Sequence, residues 1–93
     1  MDIKWSSRAI KRVKYYDDWY FNYANINTSL DFVNEVDEAI KIIVNNPYIA
    51  KVSKYNSKVR ELVVKKYPFI IFYEVKNNDT IYIVNLLHQT QNY

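Results

Sequence analysis

The chain has no glycine in its 93 residues. Every turn that requires a positive backbone φ must therefore be made by a residue with a Cβ, and asparagine and aspartate tolerate that best. Asparagine is plentiful, and three groups mark where the chain should bend: Asn25-Ile26-Asn27, Asn45-Asn46-Pro47 and Asn77-Asn78. A site built on a glycine-rich phosphate loop is excluded at once.

Between these breaks the apolar spacing changes period. Ile3 and Trp5 alternate with polar neighbours, as in a short strand, and Ser6 and Ser7 offer N-caps for a helix. Ala9, Val13, Tyr16, Tyr20 and Tyr23 recur at three- and four-residue steps and mark its predicted inner face. After the first break, Thr28 and Asp31 have the spacing of a capping box with Asp in place of Glu. The stripe Leu30, Val33, Val36, Ile40, Ile43 and Val44 predicts a second amphipathic helix, with Asp31, Glu35 and Glu38 pointing away from its buried side. Asn46-Pro47 ends that helix, because proline disfavours helical geometry in the residue before it.

From Tyr48 to Ser57 the sequence reads as a polar loop. Val59–Val64, Phe69–Val75 and Ile81–Leu87 then read as strands, the middle one apolar enough to be covered on both faces. Asn77-Asn78 suits a tight hairpin turn between the last two. The expected order is β-α-α-β-β-β, an α+β fold in which a helical hairpin packs on a small, mainly antiparallel sheet. Residues 1–93 are long enough for one domain.

No apolar run approaches the roughly 20 residues of a membrane span. The start, Met1-Asp2-Ile3-Lys4-Trp5, lacks the pattern of a signal peptide, so a cytoplasmic protein is expected. With no cysteine and one histidine, the usual zinc sets are excluded, and neither a metal nor an organic cofactor is expected. The formal net charge is +3, unevenly spread. Residues 28–46 carry one basic and four acidic groups, whereas residues 47–93 carry seven basic and three acidic ones. Lys51, Lys54, Lys58, Arg60, Lys65 and Lys66 form a strip that could meet phosphates or an acidic protein segment, or be a solvated surface.

Five stretches, in order, resemble the RelE/ParE toxin superfamily. They are Trp5-Ser6-Ser7-Arg8-Ala9, Asn45-Asn46-Pro47, Val59–Val64, Tyr67-Pro68-Phe69 through Val75, and Ile81-Tyr82-Ile83 running to His88. The resemblance covers nearly the whole chain. It implies the toxin of a bacterial type II toxin–antitoxin system, a single RelE/ParE-like domain that a cognate antitoxin protein neutralises. RelE-like members cut messenger RNA on the ribosome, and ParE-like members poison DNA gyrase. RelE-like nucleases generally carry an arginine on the strand that reads Phe69-Ile70-Ile71-Phe72-Tyr73 here, and a loop glycine common after Asn-Pro is Ala50. The missing arginine favours a ParE-like, noncatalytic toxin. The alternatives are a ribosome-dependent endonuclease and a nontoxic member that only binds its partner.

Cleaving RNA through its own 2′-hydroxyl needs a proton acceptor, a proton donor and cations on the phosphate. The groups available are His88, Tyr67, Tyr93, Lys65, Lys66 and Arg60. If Asn77-Asn78 and Lys66-Tyr67 are the two turns, Arg60 pairs with Tyr73 and Tyr67 pairs with His88. Arg60 and His88 are then about six residues, or roughly 20 Å, apart and cannot serve one phosphate. A nuclease would have to use His88, Tyr67, Lys65 and Lys66 at one sheet end, with Arg60 and Lys58 left as contacts to a target or a phosphate. His88 also suits an ordinary structural role at a strand end, and Arg60 suits bonding to loop carbonyls.

The first helix carries six aromatic residues between Tyr15 and Tyr23. One helix face cannot bury them all, so Tyr15, Trp19 and Phe21 are expected on the flanks, where the antitoxin would bind. Partial burial with only polar tips exposed is the alternative.

Overall fold

The computed structural model describes residues 1–90. Among them are β1 (Asp2–Trp5), α1 (Ser7–Tyr23), α2 (Ile26–Asn45), β2 (Lys51–Val52), β3 (Arg60–Val63), β4 (Phe69–Lys76) and β5 (Thr80–His88). The strands form one mixed sheet in the order β1-β5-β4-β3-β2, with β1 parallel to β5 and the other neighbours antiparallel. Two helices on a five-stranded sheet is the expected α+β architecture, with one strand more than expected. That strand, β2, is two residues long within a segment read as polar loop, too short for any period to reveal.

Ser6 caps α1 by accepting from the Ala9 amide, and its own hydroxyl donates to the Val84 carbonyl, joining the helix start to the sheet. The link to α2 is shorter than expected. Asn25 caps α2 through Oδ1, which accepts from the Thr28 amide at 2.8 Å, so Thr28 lies inside the helix and the proposed Thr28–Asp31 capping box does not form.

The helix stripes also need correction. Val36, Ile40 and Ile43 are buried on α2 as expected, but Phe32 and Ala39 are buried with them, whereas Leu30 is 61% exposed and Val33 is exposed too. The buried face is thus rotated from the expected one, and Ser29, also buried, donates from its hydroxyl to Asp17 of α1. On α1, Ala9, Val13, Tyr16 and Tyr20 pack inward as expected, but Tyr23 is 76% exposed in the last turn. The core lies between the helices and one face of the sheet, centred on Phe32, Phe69, Ile71, Tyr73, Ile83 and Leu86. Val59, Phe72 and Leu87 form a smaller cluster on the other face, so β4 is covered on both sides.

Asn77 and Asn78 have φ of 55° and 59° and make the β4–β5 turn in the absence of glycine. The ladder starts with Lys76 opposite Thr80, leaving Asp79 as an extra turn residue. A bulge at Phe72/Tyr73 then skips Val84 on β5. Each irregularity shifts the pairing by one, so His88 stands opposite Phe69 and not opposite Tyr67 as expected. The β3–β4 register is the expected one, with Arg60 opposite Tyr73.

Candidate functional site

At one end of the sheet, the turn from Val64 to Phe69 holds Lys65, Lys66 and Tyr67, with Lys66 at φ 69°. The Tyr67 hydroxyl donates to Asp31 Oδ2 at 2.8 Å, and Lys66 Nζ lies 3.7 Å from Asp31 and 3.5 Å from Glu35. Asp31 and Glu35 therefore do not point away from the fold; they tie α2 to this turn. Tyr67 is itself packed edge-on against Tyr20 and Phe32. Burial, then the hydrogen bond and charge of Asp31, push its phenol up to about 12. Lys65 is exposed. His88 meets the Phe69 ring edge-on at 5.4 Å, and its Nδ1 lies 2.8 Å from Thr90 Oγ1. Tyr93 lies outside the described residues.

The expected cluster is thus only partly assembled. Tyr67 and Lys66 turn toward the carboxylates of α2, while His88 pairs with Phe69 on β5. A phenol that keeps its proton to about 12 is a poor base at neutral pH. Its proton is held more tightly in the folded chain than in the unfolded one, so the unfolded state binds fewer protons in the intervening range. Stability contributed by Tyr67 is then complete below about 10 and lost as pH rises toward about 12. Urea midpoints measured across that range should fall less steeply in Tyr67→Phe than in the parent. Equal slopes would show that the phenol is not perturbed.

Arg60 occupies the other half of the sheet. Its partner Tyr73 and His88's partner Phe69 are four residues apart on β4, roughly 13 Å, with two strand spacings between Arg60 and His88. They are closer than the expected register implied, yet still too far apart to share a phosphate. Arg60 Nη1 donates to the carbonyls of Ala50 at 2.7 Å and Tyr48 at 3.2 Å, and its guanidinium sits 5.1 Å from the Tyr48 ring centroid. Fully buried Tyr73 donates to the Pro47 carbonyl at 2.7 Å, fixing the same loop. Burial raises the Tyr73 phenol above its usual range, opposed by the Arg60 charge. Arg60 and exposed Lys58 line an open cleft of about 520 Å³, walled by Tyr48 and by Glu74, Val75 and Asn77. Lys58 and Arg60 were expected as contacts, but nothing in the sequence marks this cleft, which opens because β3 begins only at Arg60.

On α1, Tyr15 is 55% and Trp19 44% exposed, and Trp19 packs against Tyr20 and Tyr23 with centroids 5.2 and 5.4 Å away. Tyr15, Trp19 and Tyr23 are four residues apart and share a flank. Phe21 is also exposed, but two residues on from Trp19 is about 200° around the helix. It borders a separate groove of about 540 Å³ with Ile26, Leu30 and Val33. The three residues expected to act together are therefore divided between two surfaces.

Among the described residues, no group of three or more His, Asp or Glu is placed to hold a metal ion, and no helix is long and apolar enough to cross a membrane.

A family model described as the ParE toxin of type II toxin–antitoxin system, parDE, matches residues 3–93. Among solved structures, the chromosomal ParDE toxin–antitoxin system of P. aeruginosa aligns with a TM-score of 0.81 at 24% identity, covering 95% of this chain and 95% of that one. The intact E. coli RelBE toxin–antitoxin complex aligns at 0.67 with 9% identity, covering 97% of this chain and 98% of the other. The isolated E. coli RelE toxin aligns at 0.66 with 8% identity, over 98% and 86% of the two chains. At these identities the structural likenesses speak for the fold. No curated protein matches.

Proposed function

The chain belongs to the ParE toxin family of type II toxin–antitoxin systems, and from that premise we propose that it arrests bacterial growth by binding a protein target such as DNA gyrase, without catalysis. One observation carries the noncatalytic part. Three of the groups that RNA cleavage would draw on are committed elsewhere: Tyr67 to Asp31, Lys66 to Asp31 and Glu35, and Arg60 to the loop carbonyls. Lys58 and the unused donors of Arg60 then serve as target contacts. A cognate antitoxin neutralises the toxin by covering the exposed aromatic residues Tyr15 and Trp19, with Phe21 engaged on the second groove.

Inducible expression in bacteria tests this reading, with growth, bulk translation and the DNA-damage response followed together. The expected result is growth arrest with DNA damage while early translation continues, unchanged by His88→Ala. Rapid translation arrest with cleaved messenger RNA, abolished by His88→Ala, would establish the nuclease instead. Folded protein without toxicity would identify a member that only binds its partner.

A further inference from the structure

The β3–β4 ladder stops at the Arg60–Tyr73 pair, whereas β4 continues along β5 to Lys76. In an antiparallel ladder, alternate residues direct both backbone groups to the same neighbour. The Phe69 carbonyl accepts from the Val64 amide on the β3 side, so residues 71, 73 and 75 also face that side. The bulge does not disturb this alternation, because its extra residue, Val84, is on β5. Continued register would set Lys58 opposite Val75, but the chain turns away there. The Lys58 amide donates to Asn56 Oδ1 at 2.9 Å and the Val59 amide to the Asn56 carbonyl at 3.0 Å. Among the described residues, no backbone hydrogen bond reaches Val75 from the β3 side. The cleft of about 520 Å³ runs along this bare edge, with Glu74, Val75, Lys76 and Asn77 as one wall and Tyr48, Lys58 and Arg60 opposite.

We propose that this cleft takes a short extended segment of an acidic partner protein as an added strand against Val75, with one carboxylate held by Arg60 and Lys58. The proposal rests on the reading that the chain acts through protein contacts, and it names the chemistry of one of them. A strand edge presents a donor and an acceptor together, and an extended peptide returns both at the matching spacing. A phosphodiester backbone returns acceptors only, which decides against nucleic acid. The peptide residue paired with Val75 takes the place left by Lys58, and its side chain lies on the face of Val75 and Arg60, since directly paired residues share a face. A carboxylate at that one position meets the Arg60 donors on Nε and Nη2, because the bonds to Ala50 and Tyr48 use only Nη1. Lys58 is exposed and makes no ion pair among the described residues. The Tyr48 hydroxyl donates to Asn78 Oδ1, which ties the opposite wall to the β4–β5 turn and keeps the cleft formed in the free protein.

The test uses the full chain, made by cell-free synthesis with nitrogen-15 labelling. The probe is an acetylated, amidated five-residue peptide with glutamate at its centre, flanked by valines and threonines. Saturable shifts of the Val75 amide and the Arg60 Nε–H are expected. Glutamine in place of the central glutamate should weaken binding tenfold or more, and so should Lys58→Glu in the protein. N-methylation of the central residue should abolish it. No saturable movement at Val75, equal binding of the glutamine peptide, or the same shifts from inorganic phosphate alone would each overturn the added strand. Growth arrest is read separately, so a failed titration leaves the toxin reading standing, and a harmless chain that still binds the peptide leaves this one standing.

Discussion

Phe32→Ala is expected to destabilise the protein by about 3–5 kcal/mol, a large part of the roughly 5–15 kcal/mol that holds a domain of this size folded. Phe32 is fully buried, and its ring lies 5.3 Å from Tyr20 of α1, 5.3 Å from Phe69 of β4 and 5.6 Å from Tyr67 of the β3–β4 turn. Three separate elements therefore converge on one side chain. Truncation leaves a space that they cannot close together, because Tyr67 is held by Asp31 and Phe69 by its pairing with His88. Leu30→Ala, on the same helix but 61% exposed, should change stability by less than about 1 kcal/mol. Urea denaturation of the two variants measures the contrast directly. A larger loss in Leu30→Ala than in Phe32→Ala would mean that α2 presents the other face to the sheet.

That contrast also marks a boundary of what the sequence makes legible. The strand–helix–helix–strand order could be read because periods and turn residues agree: Asn46-Pro47 stops α2, and Asn77-Asn78 take the positive φ that glycine would otherwise supply. The β3–β4 register was readable for the same reason. The buried face of α2 was not, since Leu30 and Val33 extend an apolar stripe as well as Phe32 does, and only the sheet decides which one it covers. The β4–β5 register slipped because nothing local marks Asp79 as an extra turn residue or Val84 as a bulge. The site suffered more than the fold. Lys66 and Tyr67 read as reactive groups because their partners Asp31 and Glu35 are some 30 residues away in sequence. For Arg60 the sequence allowed bonding to loop carbonyls, but only the fold shows that they are those of Tyr48 and Ala50.

Trp19→Ala is expected to weaken binding of the antitoxin by at least about 30-fold, equivalent to roughly 2 kcal/mol, with little loss of stability. The proposal that this flank receives the antitoxin makes Trp19 its central anchor, because it stands between exposed Tyr15 and Tyr23 on successive turns. Its ring already packs edge-on against Tyr20, so it is held in place before the partner arrives, and less side-chain freedom is lost on binding. Phe21→Ala tests the second groove independently, and the two effects should add if the surfaces are as separate as the helix geometry makes them. The partner to use is the cognate antitoxin, to be sought as a short DNA-binding protein with an acidic tail encoded immediately beside this gene. Calorimetry gives the affinities, and thermal unfolding of each free variant shows whether the fold is retained. In cells, the Trp19 variant should stay toxic when the partner is co-expressed at a level that silences the parent. Unchanged affinity, with the loss appearing in stability or solubility instead, would assign Trp19 to the outer packing of α1 and leave the antitoxin to bind elsewhere.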